Sequence, residues 1–386
     1  MFTSRRIATI GGDKFRDEFS LAFDGINDYI QTAGKPVDTA DATYVFWMKA
    51  SETGDNRVVF SHGDANIGGF AVNHHTKSKP LLYLNSSLYQ YWNDAPAQDD
   101  GKWHHWAVVV DIDDMTACKL YVDGVLQTQG DRSTSGTASS YQDLRIARGD
   151  SEYWEGSMSE FAVYNVMLSA SQVKTLYNGR EPYNHNEGIL TGNLKAWYRM
   201  GDGILDHKAT TDGQGGIVCD MTNATLGNDI FGGRGNFTDN SDSYWSFGGA
   251  GASNGVIEDG VCKFNPSGSS NCSLQKAGML TIGQMYRLDI DVTSVDSTQA
   301  AGTSLVIDDN NPYVRVSELT DGITSHTMYW RPINNTAFIL YRYNIHTDGV
   351  AYDEAIQFDN LKVRPVNGNP GYMSNMIPDN FERDTP

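Results

Sequence analysis

Residues Gly156 to Gly179 read GSMSEFAVYNVMLSASQVKTLYNG, and along them the hydrophobic period changes from two to 3.6. Val163, Tyr164, Val166 and Leu168 lie in an apolar strand. Ser169 then stands where a helix N-cap belongs, and Gln172 three residues later completes a capping box. A strand that runs straight into a short capped helix predicts a β-sandwich carrying a single helix.

Upstream, alternating or apolar segments recur at Ala42 to Ala50, Arg57 to Ser61, Gly69 to Asn73, Leu81 to Leu84, Trp103 to Ile112, Lys119 to Val122 and Leu144 to Ala147, before Phe161 to Val166. Short strands separated by turn residues are the pattern of a sandwich. Downstream, LKAWYRM at Leu194 to Met200 reads as one more strand and leads into a Gly- and Asp-rich stretch, a boundary signal. Further strands are predicted near Val256 to Phe264, Tyr286 to Val295, Ser304 to Ile307, Tyr313 to Val316, His326 to Arg331, Ala337 to Tyr343 and Ala355 to Val363. The fold class is therefore all-β: two β-sandwich (jelly-roll) domains with one short helix and extended terminal arms. The expected division is an N-terminal arm over 1–18, a first sandwich over 19–227, a second over 228–365 and a tail over 366–386.

Four landmarks carry a resemblance to a known family. FSLAFDGINDYI spans Phe19 to Ile30, and WHHWA spans Trp103 to Ala107. KLYVDGVLQ follows with a hairpin turn at Asp123-Gly124, and the strand and helix of Gly156 to Gly179 close the series. In this order they resemble the laminin-G-like, pentraxin-related jelly rolls of the concanavalin A-like superfamily. The second half opens with NFT at Asn236 and the pair Tyr244-Trp245, and closes with AIQFDNLKVRP. It resembles the carbohydrate-binding-module jelly rolls found beside glycan-degrading enzymes. The tail is similar to the ends of tailed-phage virion proteins that join a lectin-like sandwich to a jelly roll.

The chain holds 48 acidic against 29 basic residues, a formal net charge of -19. Phosphate binding needs clustered Lys and Arg, so nucleic acid is excluded as a partner. No apolar run reaches the length of a membrane helix, so no membrane insertion is expected. Residues 1–15 carry charge but lack the apolar segment of a secretory leader. Either a leader lies upstream, or the protein is made in a cytoplasm and leaves by another route. The cysteines, Cys118, Cys219, Cys262 and Cys272, show no Cys-x-x-Cys spacing, which argues against a zinc site. Cys262 and Cys272 flank a turn, where either a hairpin-bridging disulfide or two free thiols fit.

Concanavalin A-like glucanases carry E-x-D-x-x-E on one strand, setting two carboxyl groups on one face of a groove. No such spacing occurs, and the intervals among Glu152, Glu155 and Glu160 do not suit one strand face. No catalytic residues are expected. The pairs His74-His75 and His104-His105 point to opposite faces of their strands, which suits packing better than chelation.

Calcium is the cofactor considered, because it takes six to eight oxygens and rim turns supply them. Asp24 and Asp28 are one candidate site, with Asx capping of the turn as the other reading. Asp359 on the closing strand is a second, implied by the module resemblance. Glycan binding calls for exposed rings beside amides and carboxylates. The candidates are Tyr89, Tyr91 and Trp92, Tyr153 and Trp154, and Tyr244 and Trp245, with packing at a strand edge or subunit contact as the competing role.

Together with the resemblances, these readings imply a non-enzymatic structural or adhesion protein of a tailed-phage virion, a capsid decoration or fibre. Its partners would be other virion proteins and host-surface or environmental glycans, on a homo-oligomer or lattice-bound subunit. The alternative is a secreted bacterial carbohydrate-binding protein, extracellular rather than at the virion surface.

Overall fold

The structure, a computed structural model, describes residues 15–38, 41–50, 57–62, 68–72, 79–85, 87–93, 100–138, 142–188, 190–203, 205–208, 216–238, 243–249, 252–264, 272–294, 303–307, 314–318, 324–334, 336–344 and 356–386. It is almost entirely antiparallel β, in four sheets that form two sandwiches. Among the described residues no helix is long and apolar enough to cross a membrane.

The decisive strand, Glu155–Tyr164, is longer than its apolar end predicts and lies centrally in an eight-stranded sheet. It pairs with Asp41–Ala50 on one side and with Ser20–Asp24 and Leu194–Tyr198 on the other. Its register slips between Ser159 and Ala162, where Glu160 has φ 52°. This bulge changes the parity of the strand. Met158 points into the core, and beyond the bulge Phe161 and Val163 do so too. The helix follows at Ala170–Tyr177, with the capping box closed at Ser169 and Gln172 and a left-handed Asn178 ending it. The hairpin at Asp123-Gly124 also forms, both residues having positive φ.

The facing sheet has nine strands. In spatial order they are Gln129–Thr134, Leu88–Trp92, Leu81–Asn85, Gly69–Val72, Arg57–His62, Leu144–Ile146, Tyr29–Thr32, Gly371–Ser374 and Ile217–Val218. Between the sheets lies one aromatic-rich core that includes Phe46, Phe60, Phe70, Trp92, Trp106 and Trp154. At about 25 cal/mol per Å² of apolar surface, a ring of this size buried whole contributes several kcal/mol.

The second sandwich packs a six-stranded sheet around Ile356–Asn367 and Tyr286–Ser294 against a five-stranded sheet around Phe338–Asn344. Trp330, Phe338, Phe358 and Trp245 lie in its core. A small apolar cluster of Ile217, Cys219, Met285, Tyr329 and Val366 joins the two sandwiches.

Residues 366–386 are not a tail laid over a surface. Gly371–Ser374 fills a gap between Tyr29–Thr32 and Ile217–Val218, and Phe381–Glu382 adds an edge to Ser20–Asp24. Met373 and Met376 enter the first core. Each sheet of the first sandwich thus takes a strand from the end of the chain, and the second sandwich is inserted between parts of the first. The expected N-terminal arm falls mostly outside the described residues, but 15–18 are seated on the first sandwich. Glu18 and Phe19 donate backbone N–H groups to Asp202 Oδ2 at 2.8 and 2.9 Å. Cys118, Cys219, Cys262 and Cys272 are all buried free thiols.

Candidate functional site

The two sheets of the first sandwich turn very different surfaces outward. On the eight-stranded sheet the outward residues Val45, Ala107, Val109, Tyr121, Ala162 and Tyr164 are apolar, and a third layer covers them. That layer comprises Val173 and Leu176 of the helix, with Leu168 and Leu190, and they pack together with Trp197 on the outward side of Leu194–Tyr198. Polar groups caught beneath it are tied internally. Glu160, fully buried, accepts from Trp197 Nε1 at 2.5 Å and Arg199 Nε at 3.0 Å. His185 meets the Tyr164 hydroxyl at 2.6 Å, and burial pushes its pKa down to about 3.

On the nine-stranded sheet, alternation places Leu82, Leu84, Leu88, Trp92, Ile30 and Met373 in the core. Tyr83, Tyr89, Tyr29, Gln31, Arg145 and Tyr372 therefore face outward, and all six are half-buried. Tyr372, near the sheet's edge, packs against the small cluster between the sandwiches. Among the described residues no hydrophobic cluster covers the other five. Tyr83 and Tyr89 are cross-strand partners. Tyr83 lies against Gly69, its partner on the other side, where an added Cβ would come within 2.8 Å of the Tyr83 hydroxyl oxygen. Only a glycine lets that ring lie flat on the sheet.

The connection Ala147 to Trp154 crosses this face. Ser61 Oγ donates to the Arg148 carbonyl at 2.7 Å, and Gly149 N–H to the Glu152 carbonyl at 2.8 Å. Burial, then the charges of Glu152 and Asp150, raise the pKa of the Tyr83 hydroxyl. Tyr153 comes within 6.3 Å of Tyr29, centroid to centroid. The face thus combines flat rings, amides, a hydroxyl and charged groups, the set that holds a sugar by stacking and by hydrogen bonds to its hydroxyls.

Of the glycan candidates chosen from the sequence, Tyr89 and Tyr153 stand on this face. Tyr91 points the same way but is only 9% exposed. Trp92, Trp154 and Trp245 are corrections, because all three are core residues with no face for a sugar. LYQYW is a strand, and Trp92 falls on its inward side. Trp154 packs on Phe23, and Trp245 packs on Phe231. Tyr244 is half-buried, with Lys276 Nζ 3.8 Å and the Arg234 guanidinium 4.7 Å from its ring. It packs against the core of the second sandwich, apart from this face. Sequence reasoning misses Tyr29 and Arg148, although the alternation of Tyr29 and Gln31 with Ile30 and Thr32 marks the outward side of that strand.

The aspartates read as calcium ligands are engaged in local hydrogen bonds. Asp24 Oδ1 accepts from the backbone of Ile26, Asn27 and Asp28 at 2.8, 3.1 and 3.3 Å, which is the Asx-capped turn. Asp28 Oδ2 accepts from Asn380 Nδ2 at 3.0 Å, and burial pushes the Asp28 pKa up to about 6. Asp359 Oδ1 accepts from Asn360 N–H at 2.6 Å. Among the described residues no three acidic, histidine or cysteine side chains converge on one point.

The acidic residues weighed for catalysis have separate partners. Glu155 is paired with Arg57 at 2.9 Å, Glu160 with Arg199, and Glu152 bonds within its own turn. A concavity of about 570 Å³ at the end of the eight-stranded sheet is lined by Lys49, Glu155, Ser157, Glu382, Arg383 and Asp384. Its polar groups largely satisfy one another: Lys49 pairs with Asp384, and Ser157 Oγ donates to Glu382 Oε2 at 2.9 Å.

Residues 24–174 match a family model of laminin G type, described as the concanavalin A-like lectin/glucanases superfamily. Among solved structures, one from Bacteroides ovatus, described as a putative carbohydrate binding protein, is 18% identical with a TM-score of 0.40, over 54% of this chain and 56% of its own. The chain therefore spans little more than half of that protein. A heptameric SAP-like pentraxin from Limulus polyphemus is 16% identical with a TM-score of 0.34, over 42% of this chain and 82% of its own. Domain 4 of a GH43 extracellular arabinanase from Geobacillus stearothermophilus, in complex with arabinotriose, is 17% identical with a TM-score of 0.31, over 41% of this chain and 76% of its own.

Proposed function

We propose that this chain is a carbohydrate-binding protein without hydrolytic activity, and that the outer face of its nine-stranded sheet is the saccharide contact. The observation that carries this reading is the unequal treatment of the two outer faces. One is apolar and sealed by a third layer, whereas the other keeps Tyr29, Tyr83, Tyr89 and Tyr153 half-exposed beside polar side chains. Half-exposed tyrosines on a rigid sheet give stacking area at little entropic cost. The match of residues 24–174 to a lectin/glucanase superfamily supports the same chemistry.

Glycoside hydrolysis needs two carboxyl groups facing one bond, one to protonate and one to attack or activate water. Glu152, Glu155 and Glu160 are each committed elsewhere, so binding is favoured over cleavage. Calorimetric titration with a panel of neutral and acidic oligosaccharides tests the reading. Binding that Tyr89→Ala and Tyr29→Ala weaken without loss of fold is the expected result. Release of reducing ends would overturn the non-catalytic part.

The biological setting proposed is the exterior of a tailed-phage particle, where the chain would assemble with other virion proteins and meet host or environmental glycans. The resemblance of residues 366–386 to virion-protein ends supports it. Mass spectrometry of purified particles tests it, and consistent absence of the chain would favour a secreted bacterial carbohydrate-binding protein instead.

A further inference from the structure

The connection that crosses the open face carries a cation that no described acid neutralises. The Arg148 guanidinium lies 4.5 Å from the Tyr29 ring centroid and 5.7 Å from that of Tyr153. Its Nε is buried without a hydrogen-bond partner, and no carboxylate among the described residues pairs with the group. Among those residues its terminal amino groups find no hydrogen-bond partner either and, unlike Nε, they keep contact with solvent. Arg57 nearby shows the contrast, giving one amino group to Glu155 Oε2 at 2.9 Å and the other to the Gly25 and Tyr153 carbonyls at 3.2 and 3.3 Å.

Neither acid of the same turn pairs with it. Glu152 accepts from the N–H and hydroxyl of Ser151 at 3.2 and 3.3 Å, and the charges of Glu152 and Asp150 help to raise the pKa of the Tyr83 hydroxyl. On a chain with 48 acidic residues, a half-buried arginine left unpaired is a cost that two ring contacts offset only in part. A fixed guanidinium with its terminal amino groups free is the geometry that receives an oxyanion by two parallel hydrogen bonds.

We propose that Arg148 is the anion receptor of this face and that the saccharide it takes is acidic. The carboxylate or sulfate of one sugar unit docks on the terminal amino groups of Arg148, and the pyranose ring lies beside Tyr153. This deepens the carbohydrate-binding reading and rests on it. The tyrosines supply contact area, and the arginine supplies selection among glycans.

The test is titration of the full chain, and of its Arg148→Gln and Arg148→Lys variants, with three probes. These are galacturonic acid oligomers, the same oligomers reduced to the neutral sugar at the carboxyl, and a sulfated galactan oligomer. The wild-type chain is expected to prefer at least one acidic probe over the neutral one by about tenfold or more, the effect of a charge-assisted hydrogen-bond pair. The acidic probe that binds distinguishes carboxylate from sulfate recognition. Arg148→Gln is expected to abolish the preference, bringing acidic-probe affinity down to that of the neutral probe. Arg148→Lys, which retains charge but not the fork, is expected to recover part of it and guards against a folding defect in the glutamine variant. Equal wild-type affinity for acidic and neutral probes would overturn the assignment of Arg148 and leave the saccharide reading standing. An undiminished preference in both variants would do the same. No binding of any probe would overturn both.

Discussion

Two outer faces of one sandwich differ in what their outward positions carry, and that difference separates structure from function. Along the eight-stranded sheet the outward side chains include Val45, Ala107, Val109, Ala162, Tyr164 and Trp197, a surface that cannot stay in water and is covered by Leu168, Leu190 and the helix. Along the nine-stranded sheet they include the buried Val58, Ala71, Leu81 and Tyr91 together with Tyr29, Tyr83, Tyr89, Gln31 and Arg145, and these last five rest at a half-wetted surface where no described cluster covers them. The same period-two alternation underlies both. The composition of the outward set, rather than the presence of strands, decides which face becomes core and which remains available for a ligand.

Removing residues 371–386 should give the largest effect, since it strips a strand from each sheet and opens both faces at once. The first sandwich is expected to lose cooperative unfolding altogether, an effect of more than about 5 kcal/mol on the scale of typical domain stability. Near-UV circular dichroism would show this, and a native-like first sandwich would break the comparison. Next comes the sealed face. Trp197→Ala is expected to cost about 3–5 kcal/mol by denaturant titration, through the cavity it leaves and the buried Glu160 it deprives of a donor.

Acid should then act on the histidines buried in the first sandwich. Burial holds His62 near 4, and His105 and His185 near 3, so all three stay neutral when folded. Once unfolded they titrate near 6.5. Their contribution to stability therefore falls as pH drops from about 6.5 towards 4, by about 1.4 kcal/mol per pH unit for each histidine. Burial raises Asp17, Asp28, Glu160 and Asp206 in the same sandwich, and these contribute with the opposite sign over that window. Denaturant titration of His185→Gln between pH 6.5 and 4 isolates the histidine part, and the variant should lose less stability on acidification than the unaltered chain. Alkali has the opposite sign for the seat of residues 15–19. Burial raises both Asp17 and Glu160, and the charge of Glu160 raises Asp17 further, so the docking they support is strongest in acid and weakens as pH rises. Hydrogen exchange at Phe19 should speed up with pH beyond its intrinsic rate, and Asp17→Asn should flatten that dependence. The smallest effect belongs to the open face. Tyr89→Ala should change stability by less than about 1 kcal/mol while weakening saccharide binding.

Much of the fold is legible because its signals are local. The capping box at Ser169, the Asp123-Gly124 turn and the apolar strands near residues 42–50 and 104–111 all form where expected. The remainder depends on pairing between distant residues. Nothing near Met373 announces that it sits opposite Ile30, so by composition alone the closing strands read as a tail. The site is legible only in part for the same reason. Tyr89 and Tyr153 can be selected as rings in polar surroundings, but Trp92 and Trp154 share those surroundings and turn inward. Which side of a short strand is wet is decided by the opposite sheet. That Arg148 lacks a carboxylate among the described residues is likewise a property of the assembled turn and of no sequence spacing.

The central claim, that saccharide lies on the uncovered face, is met most directly by amide chemical-shift mapping of the labelled chain during titration with a binding oligosaccharide. The account expects shifts concentrated on residues 29–31, 83–89 and 147–153, with the helix at 170–177 silent. Shifts centred instead on residues 155–157 and 382–384, or on the covered face, would contradict it.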